Sequence, residues 1–504
     1  MVESKRKCVV NTLLPDGVRL NRRSLLATVG VTSLFAGLSP TTFVGRALAG
    51  ETKGLNARWI SKDDSDFEPW RHSMIWQYRK SPRRPDAIVQ ADSIDNVVEV
   101  VRHAAVTKQK LTTRSGGHSM SACFLRDGGV LLDVSRLQEM RLSPGKSEVI
   151  VGPGVIGRAL NEFLRPHGLA VCTAHCGMVP VSGFMLGGGV GWNGNAWGGM
   201  ATFNINAVDI VTADGVLRHA SALENPELYW AVRGGGPGLF GVVVRFYLKC
   251  YPLPKSIQSV EYVYHLSDIV EVARAVEEIG DRIDKTVELL TIVARAAPDH
   301  ADACSGPGCN QAVYVNAIVF GDSAEEARVK LRPLTEHAIV KKALASHPMK
   351  EETFETLYMG NELSFAQKRW AADNVMTDQP DRIAELLLAS VPKCPTDNNA
   401  AVLVYKGKPE LPDAAYGIIG KFYLAYYMVW DDATDDIAVS KYHVDFFKQA
   451  QKHSNGSYIN EFNQEGRPED IPLCFSPKSW AKLAELRRRW DPGAVFHTFY
   501  GQDA

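Results

Sequence analysis

The chain reads Thr113-Arg114-Ser115-Gly116-Gly117-His118-Ser119 at the end of a short apolar segment. A second glycine-rich stretch follows as Cys176-Gly177-Met178-Val179-Pro180-Val181-Ser182-Gly183-Phe184-Met185-Leu186-Gly187-Gly188-Gly189-Val190-Gly191. Glycine adds no Cβ and adopts positive φ, so both stretches can bring backbone N–H groups close to a pyrophosphate. His118 and Cys176 add a nucleophilic side chain beside each turn. The two stretches therefore predict a pyrophosphate cradle with two nucleophiles at its edge.

The segments around the first turn alternate between short strands and short helices. Strands are predicted at 84–90, 110–114, 129–134 and 148–154, and helices at 93–105 and 156–165. Asp214-Gly215 marks the tip of a hairpin over 208–216. A strand that ends in a glycine turn, as at Arg114, is a suitable support for a phosphate.

A second unit is predicted after Pro252 and Pro254, because 504 residues exceed what one hydrophobic core holds. Strands near 260–264 and 312–319 and helices at 269–283 and 324–334 indicate an α+β unit that starts near residue 255. An aromatic strand is predicted over 422–430. Its alternation sends Tyr423, Ala425, Tyr427 and Val429 to one face, which either contacts substrate or packs within the sheet.

The first 49 residues resemble a twin-arginine export signal. Arg22-Arg23 precedes the apolar run Leu25–Leu38, and Ala47-Leu48-Ala49 offers small residues for cleavage. A transmembrane anchor is the alternative, but this run is shorter than the roughly 18–20 apolar residues that a span requires. We therefore expect a periplasmic or secreted mature protein that has no membrane segment.

Charge and cysteine content exclude several other classes of protein. A formal net charge of −1 gives no basic field for nucleic acid. Nine cysteines in a chain of this length do not form a disulfide scaffold. Cys304 and Cys309 can close a small disulfide loop or remain free thiols. Cys172, His175 and Cys176 lack a second Cys/His pair at metal-binding spacing, so no metal site is predicted.

These stretches, with Arg233-Gly234-Gly235-Gly236 and Trp490-Asp491-Pro492-Gly493, resemble the berberine-bridge-enzyme-like (BBE-like) FAD-linked oxidases of the vanillyl-alcohol-oxidase, or PCMH-type, superfamily. The resemblance covers about residues 80–500. It implies an α+β fold with an FAD-binding PCMH-type domain of two α+β subdomains at 54–255. It also implies an α+β substrate-binding domain with an antiparallel sheet at 256–450, and a BBE-like segment at 451–504 that returns to the FAD domain.

In that family, such a His and Cys are both bonded to the flavin, so the resemblance implies bicovalent FAD on His118 and Cys176. The alternatives are a turn histidine satisfied by backbone and a buried, inert thiol. The further cofactor contacts implied are Arg114, Ser115, Gly116, Gly117, Ser119, Gly187, Gly188, Gly189, Gly191 and Val243. Pro180 and Ser182-Gly183-Phe184 depart from the family pattern, which puts the local shape of the flavin edge in question.

The resemblance implies an enzyme, an FAD-dependent oxidase with a small-molecule substrate and O2 as partners. It would transfer a hydride from an alcohol, hemiacetal or related carbon of a bulky oligosaccharide or secondary metabolite, and release H2O2. The alternatives are a dehydrogenase with another electron acceptor and a non-catalytic scaffold. Glu461 replaces a tyrosine of related oxidases in Tyr458-Ile459-Asn460-Glu461, so Glu461 is the candidate catalytic base and Tyr458 the alternative.

Overall fold

The computed structural model describes residues 57–298, 310–362 and 368–502. The predicted export signal and the Cys304–Cys309 pair lie outside these residues. The described residues form three larger sheets, of four, five and seven strands, and one two-stranded sheet. Within the described residues, no helix has both the length and the apolar character that crossing a membrane requires.

The first sheet supports the glycine turn. Its elements are β1 (Arg58–Ser61), α1 (Phe67–Ser73), β2 (Ala87–Gln90), α2 (Ile94–Thr107), β3 (Leu111–Arg114) and β4 (Val130–Asp133). The strand order is β1-β2-β4-β3, and only β1 runs antiparallel to its neighbour. The strands β2 and β4 are apolar almost throughout because both faces of this sheet are covered. Helix α2 begins as predicted, with Ser93 accepting the backbone N–H of Asn96 at 3.2 Å.

The second sheet carries the Cys176 segment on its connections. Its elements are β5 (Met140–Leu142), β6 (Glu148–Val151), α3 (Gly157–Leu164), β7 (Leu169–Ala170), α4 (Val181–Leu186), β8 (Ile205–Thr212), β9 (Leu217–Ser221), α5 (Pro226–Val232), β10 (Gly241–Lys249) and β11 (Tyr251–Pro252). The order β5-β6-β10-β8-β9 is antiparallel throughout. Strands β7 and β11 pair separately. The predicted hairpin is confirmed, and Gly215 lies at its tip with φ 69°.

The third sheet forms most of the remaining chain. Its elements are β12 (Ser256–His265), α6 (Ile269–Gly280), β13 (Val287–Arg295), β14 (Gln311–Gly321), α7 (Ala324–Lys330), α8 (Arg332–Thr335), β15 (Ala345–Glu352), α9 (Phe354–Glu362), β16 (Arg369–Thr377), α10 (Pro380–Ser390), β17 (Asn398–Tyr405), β18 (Phe422–Trp430) and α11 (Asp436–Ala450). The antiparallel order is β15-β12-β14-β13-β17-β18-β16. The single helix predicted over 324–334 is divided into α7 and α8, because Pro333 has no N–H to continue α7. The fold class is α+β, as predicted.

The two faces of the third sheet have different surroundings. Helices α6, α10 and α11 cover one face, where Val276, Leu387 and Phe447 belong to a single buried cluster. The other face lines a cavity that also touches the glycine turns of the first two sheets. The sheet therefore brings a broad wall of side chains opposite the predicted cradle.

The end of the chain packs against the first sheet. Helix α12 (Pro477–Trp490) is followed by Asp491, whose carboxylate accepts the backbone N–H groups of Val495 and Phe496 at 2.7 and 2.9 Å. The main chain then pairs with β3, as Leu111 N–H donates to Val495 O at 2.7 Å. This pairing covers the outer edge of β3, the strand that leads into the glycine turn.

Candidate active site

A large cavity of about 1060 Å³ lies between the glycine turns and the open face of the third sheet. It is lined by residues 111–120 and by Cys176, Leu186 and Val243 from the first two sheets. Tyr458 and Glu461 line it from the C-terminal segment. Because pockets for one small ligand usually measure roughly 300–1,000 Å³, this cavity has room for a large cofactor and a substrate.

The structure brings His118 and Cys176 together at the cavity wall. The Sγ atom of Cys176 lies 3.9 Å from Nε2 of His118. The imidazole stacks on the indole of Trp76, with ring centroids 4.8 Å apart and planes 7° apart. Burial lowers the pKa of His118 to about 4, so the imidazole is neutral at physiological pH and keeps a nucleophilic lone pair.

The glycines of the first turn are required by close contacts. A Cβ on Gly116 would lie 2.0 Å from Cγ of Pro180, and one on Gly117 would lie 1.8 Å from the carbonyl oxygen of Met74. Gly117 also has φ 68°, in the left-handed region. Pro180, which departs from the family pattern, is therefore the surface against which Gly116 packs. The turn is a cradle of bare backbone.

The polar side chains of this turn are held by local partners. Arg114 forms a salt bridge to Asp133, with Nη1 and Oδ1 3.0 Å apart, which fixes the ends of β3 and β4. Ser115 accepts a hydrogen bond from Ser182 at 3.4 Å, and Ser119 lies 3.3 Å from the Sγ of Cys123. All three predicted residues line the cavity.

Glu461 is fixed between two tyrosines of β18. Tyr423 and Tyr427 both donate a hydrogen bond to Oε2 of Glu461, and the Tyr427 bond measures 2.7 Å. No other hydrogen bond from the described residues reaches this carboxylate. Burial raises the pKa of Glu461, and the two phenols partly oppose that rise. Burial and the charge of Glu461 raise the pKa values of both tyrosines well above the usual value, so the phenols stay protonated donors.

Tyr458 is held from several directions in the same wall. Its hydroxyl accepts the backbone N–H of Gly189 at 3.1 Å and the side-chain amide of Asn460 at 2.8 Å. Its backbone N–H donates to the side chain of Asn374 at 2.6 Å. Burial raises the pKa of Tyr458 strongly, so its proton is retained. This environment suits an orienting hydroxyl better than a base.

Comparison with known proteins assigns the chain to a class. Residues 85–221 match the family of the FAD binding domain. The FAD-linked oxidoreductase nodO of Hypoxylon pulicicidum is 26% identical over 88% of this chain and 97% of its own length. The (R)-6-hydroxynicotine oxidase of Paenarthrobacter nicotinovorans is 27% identical over 88% and 96%, respectively.

The solved structure of BBE-like 1 from Physcomitrella patens superposes with a TM-score of 0.75. It is 18% identical and covers 88% of this chain and 96% of its own. The protein is an FAD-linked oxidoreductase. Its fold is that of the PCMH-type FAD-binding oxidases.

The residues of this oxidoreductase fit FAD on one side of the cavity. The cradle at Gly116 and Gly117 leaves no space for a side chain and faces the cavity, as close approach to a pyrophosphate requires. The neutral His118 and the thiol of Cys176 stand at the end of that cradle. Val243, predicted as a contact, also lines the cavity.

The second glycine cluster of the oxidoreductase lies directly behind the cavity wall. Gly187, Gly188, Gly189 and Gly191 are all described, and none of them belongs to the cavity wall, whereas Leu186 and Val190 do. A Cβ on Gly187 would lie 1.9 Å from the amide of Asn460, and one on Gly188 2.8 Å from the ring of Tyr416. Gly187 and Gly188 therefore allow Asn460 and Tyr416 to pack closely behind the wall.

Sequence reasoning missed two features of the wall. His175 lies 2.5 Å from Oε1 of Glu288, whose other oxygen accepts the backbone N–H of Asn193 at 3.1 Å. His175 also packs edge-on against Trp192, with centroids 4.4 Å apart. Because His175 directly precedes Cys176 in the sequence, its presence at the cavity wall could have been predicted. Nothing in the sequence around Trp76 indicated that it would stack on His118.

Proposed function

We propose that this protein is an FAD-dependent oxidase whose flavin is bonded to both His118 and Cys176. Its substrate is a bulky oligosaccharide or secondary metabolite that carries an alcohol, hemiacetal or related carbon. When bound, FAD accepts the hydride from that carbon and passes the electrons to O2, which yields H2O2. The observation that carries the proposal is that a buried, tyrosine-bound carboxylate shares one cavity with the paired His118 and Cys176.

The spacing of the two nucleophiles supports attachment to one planar group. A separation of 3.9 Å between Cys176 Sγ and His118 Nε2 places both nucleophiles at the same end of the cavity, within reach of one bound group. The lowered pKa of His118 keeps the imidazole unprotonated, as attack on carbon requires. Trp76 stacks on one face of the imidazole and holds its plane in place.

Glu461 is the base in this proposal, and Tyr458 orients the substrate. Oxidation of an alcohol carbon requires removal of the hydroxyl proton, and a carboxylate with a raised pKa is a stronger base than an exposed one. Both phenols occupy Oε2, so Oε1 is left to accept that proton. Tyr458 keeps its own proton and can donate it to a substrate oxygen.

Acid precipitation followed by intact mass measurement tests the attachment. The mature protein should give a yellow pellet that carries the mass of FAD. His118→Ala and Cys176→Ala should each retain it, and only the double variant should release it. Cys172→Ala is the matched control, because Cys172 is also a buried thiol but is not part of the cavity wall. A colourless pellet under a yellow supernatant would exclude covalent attachment, and a colourless protein throughout would favour the non-catalytic scaffold.

Oxygen as the acceptor is tested by mixing the reduced protein with aerated buffer. Fast return of the yellow colour with formation of H2O2 supports an oxidase. Slow return, with fast reoxidation by a quinone or dye, would identify a dehydrogenase that uses another acceptor.

Export by the twin-arginine pathway is part of the proposal and rests on Arg22-Arg23 and the apolar run behind them. The mature protein recovered from the periplasm or medium should begin after Ala49. Replacing both arginines by lysine should keep the chain inside the cell. Export of that variant would contradict the assignment.

A further inference from the structure

The wall opposite the cradle is ordered in rows by the register of the third sheet. Residues that pair across neighbouring antiparallel strands point to the same face. One row crosses six strands and consists of His347, Glu261, Asn316, Leu290, Val404 and Tyr423. Every residue of this row lines the cavity. Its last residue, Tyr423, is the one that donates to Glu461.

The rows beside it are mostly apolar. The next row consists of Tyr314, Ile292, Val402 and Ala425, and the one after it of Ala294, Ala400 and Tyr427. Between Tyr314 at one end and Tyr427 at the other, these two rows present aliphatic side chains and almost no hydrogen-bonding groups. A hydroxyl group buried against it without a partner would lower affinity. The middle of the wall therefore favours hydrocarbon over sugar.

The far end of the first row is polar. Asn316 pairs with Glu261 across the row. Burial raises the pKa of the Glu261 carboxyl to about 7, and the Asn316 side chain partly opposes that rise. The Oε1 atom of Glu261 is buried and accepts no hydrogen bond from the described residues. The Nε2 atom of His347 lies 3.7 Å from this oxygen, beyond hydrogen-bond distance. Lys350, on the same edge, is paired with Glu352 at 2.7 Å.

We propose that Glu261 and Asn316 bind a hydroxyl group at the far end of an elongated, mainly hydrocarbon substrate whose reacting carbon lies beside Glu461. This inference rests on the proposed function and narrows its substrate class to apolar secondary metabolites. Four strand spacings separate β12 from β18, which is about 19 Å at roughly 4.8 Å each. The substrate is therefore long, with one polar group at each end.

A neutral hydroxyl group fits this end better than an ammonium group. His347 and Lys350 already place two basic side chains beside Glu261, and a carboxyl with a raised pKa can both donate and accept a hydrogen bond. Asn316 adds an amide that does the same. A primary amine is the alternative head group, and the binding experiment distinguishes it from a hydroxyl group.

Calorimetry on the anaerobic holoenzyme tests the substrate class with defined probes. The series is α,ω-hexanediol, α,ω-nonanediol and α,ω-dodecanediol, with xylobiose as the sugar and α,ω-diaminododecane as the amine. Affinity should rise by about fourfold for each added methylene, because each one leaves water for the aliphatic rows. A flat response to chain length, tighter binding of xylobiose than of dodecanediol, or tighter binding of the diamine would overturn the proposal.

Two variants test the polar end. Glu261→Leu should weaken dodecanediol by about five- to tenfold, the loss of one buried hydrogen bond, while the mono-alcohol dodecanol is unchanged. Glu261→Gln keeps a hydrogen-bonding group of the same shape and should bind the diol within about twofold of the parent. Equal losses for diol and mono-alcohol, or no loss for either, would contradict the assignment. If Glu261→Leu does not fold, Asn316→Leu is scored in the same way.

These measurements need neither turnover nor covalent flavin. A failure of the proposed oxidase function would appear in the mass and reoxidation experiments. A failure of the substrate class would appear in the calorimetry alone.

Discussion

The two walls of the cavity are built in different ways. The wall at residues 113–119 is made of backbone, and glycine is needed there because a Cβ would collide with Met74 or Pro180. The wall of the third sheet is made of side chains that alternate along each strand, so its chemistry depends on which residues the register brings side by side. The first wall therefore tolerates little change in sequence, whereas the second can be altered one side chain at a time to suit a substrate. Glu461 lies where the C-terminal segment meets the second wall.

Glu461→Gln should have the largest effect, because it removes the proposed proton acceptor and keeps the shape. Flavin reduction by the best alcohol of the diol series should slow by about a hundred- to ten-thousandfold, measured by anaerobic bleaching of the flavin. Glu465→Gln is the matched control, since that acid lies on the same segment but outside the cavity wall, paired with Arg79 and Arg83. Unchanged reduction in Glu461→Gln would remove it from the mechanism.

Gly117→Ala should damage the backbone wall. The new Cβ would lie 1.8 Å from the carbonyl oxygen of Met74, at φ 68°. We expect a loss of about 3 kcal/mol in the free energy of unfolding, and no FAD mass on the protein. Gly183→Ala is the control, because Gly183 lines the same cavity but a Cβ added there would meet no atom within 4 Å beyond its chain neighbours and its own helix. Normal flavin loading in Gly117→Ala would show that the cradle is not needed.

Tyr427→Phe should shift the pH dependence of activity. The Tyr427 hydrogen bond lowers the pKa of Glu461, so its loss raises that pKa further. Because the base works only when deprotonated, activity falls as pH drops through the pKa, and the acidic limb of kcat/KM should move to higher pH by about one unit. Tyr314→Phe, on the same sheet face but without contact to Glu461, should leave the limb in place. A limb that moves to lower pH would contradict the assigned hydrogen bond.

The difference between the walls also decides what the sequence could predict. The turn at Gly116 and Gly117, the hairpin at Gly215 and the cap at Ser93 depend on neighbours within a few residues, and local patterns were sufficient for them. The outward face of β18 followed from simple alternation, and Tyr423, Ala425, Tyr427 and Val429 all line the cavity. The sequence could not predict that Glu261 and its neighbours form one row across the sheet, because the order of the strands in the sheet does not follow their order along the chain.

The second glycine cluster shows the same limit from the other side. The cluster at Gly187–Gly189 correctly indicated that something approaches the backbone closely. It could not indicate that Asn460 and Tyr416, more than two hundred residues away, approach Gly187 and Gly188. No local pattern predicts the contact of His175 with Glu288 either, because the two residues are 113 positions apart in the sequence.

Leu290→Met should have the smallest effect and gives the most direct test of the side-chain wall. Leu290 lies in the middle of the row between Asn316 and Val404, and methionine keeps nearly the same volume. The free energy of unfolding should change by less than about 1.5 kcal/mol, and FAD attachment should be unchanged. The dissociation constant of dodecanediol should shift by a few fold, while the rate of flavin reduction at saturation stays the same, because the substitution touches substrate far from Glu461. Loss of flavin from this variant would mean that the two walls are not independent, and that the substrate face also holds the cofactor.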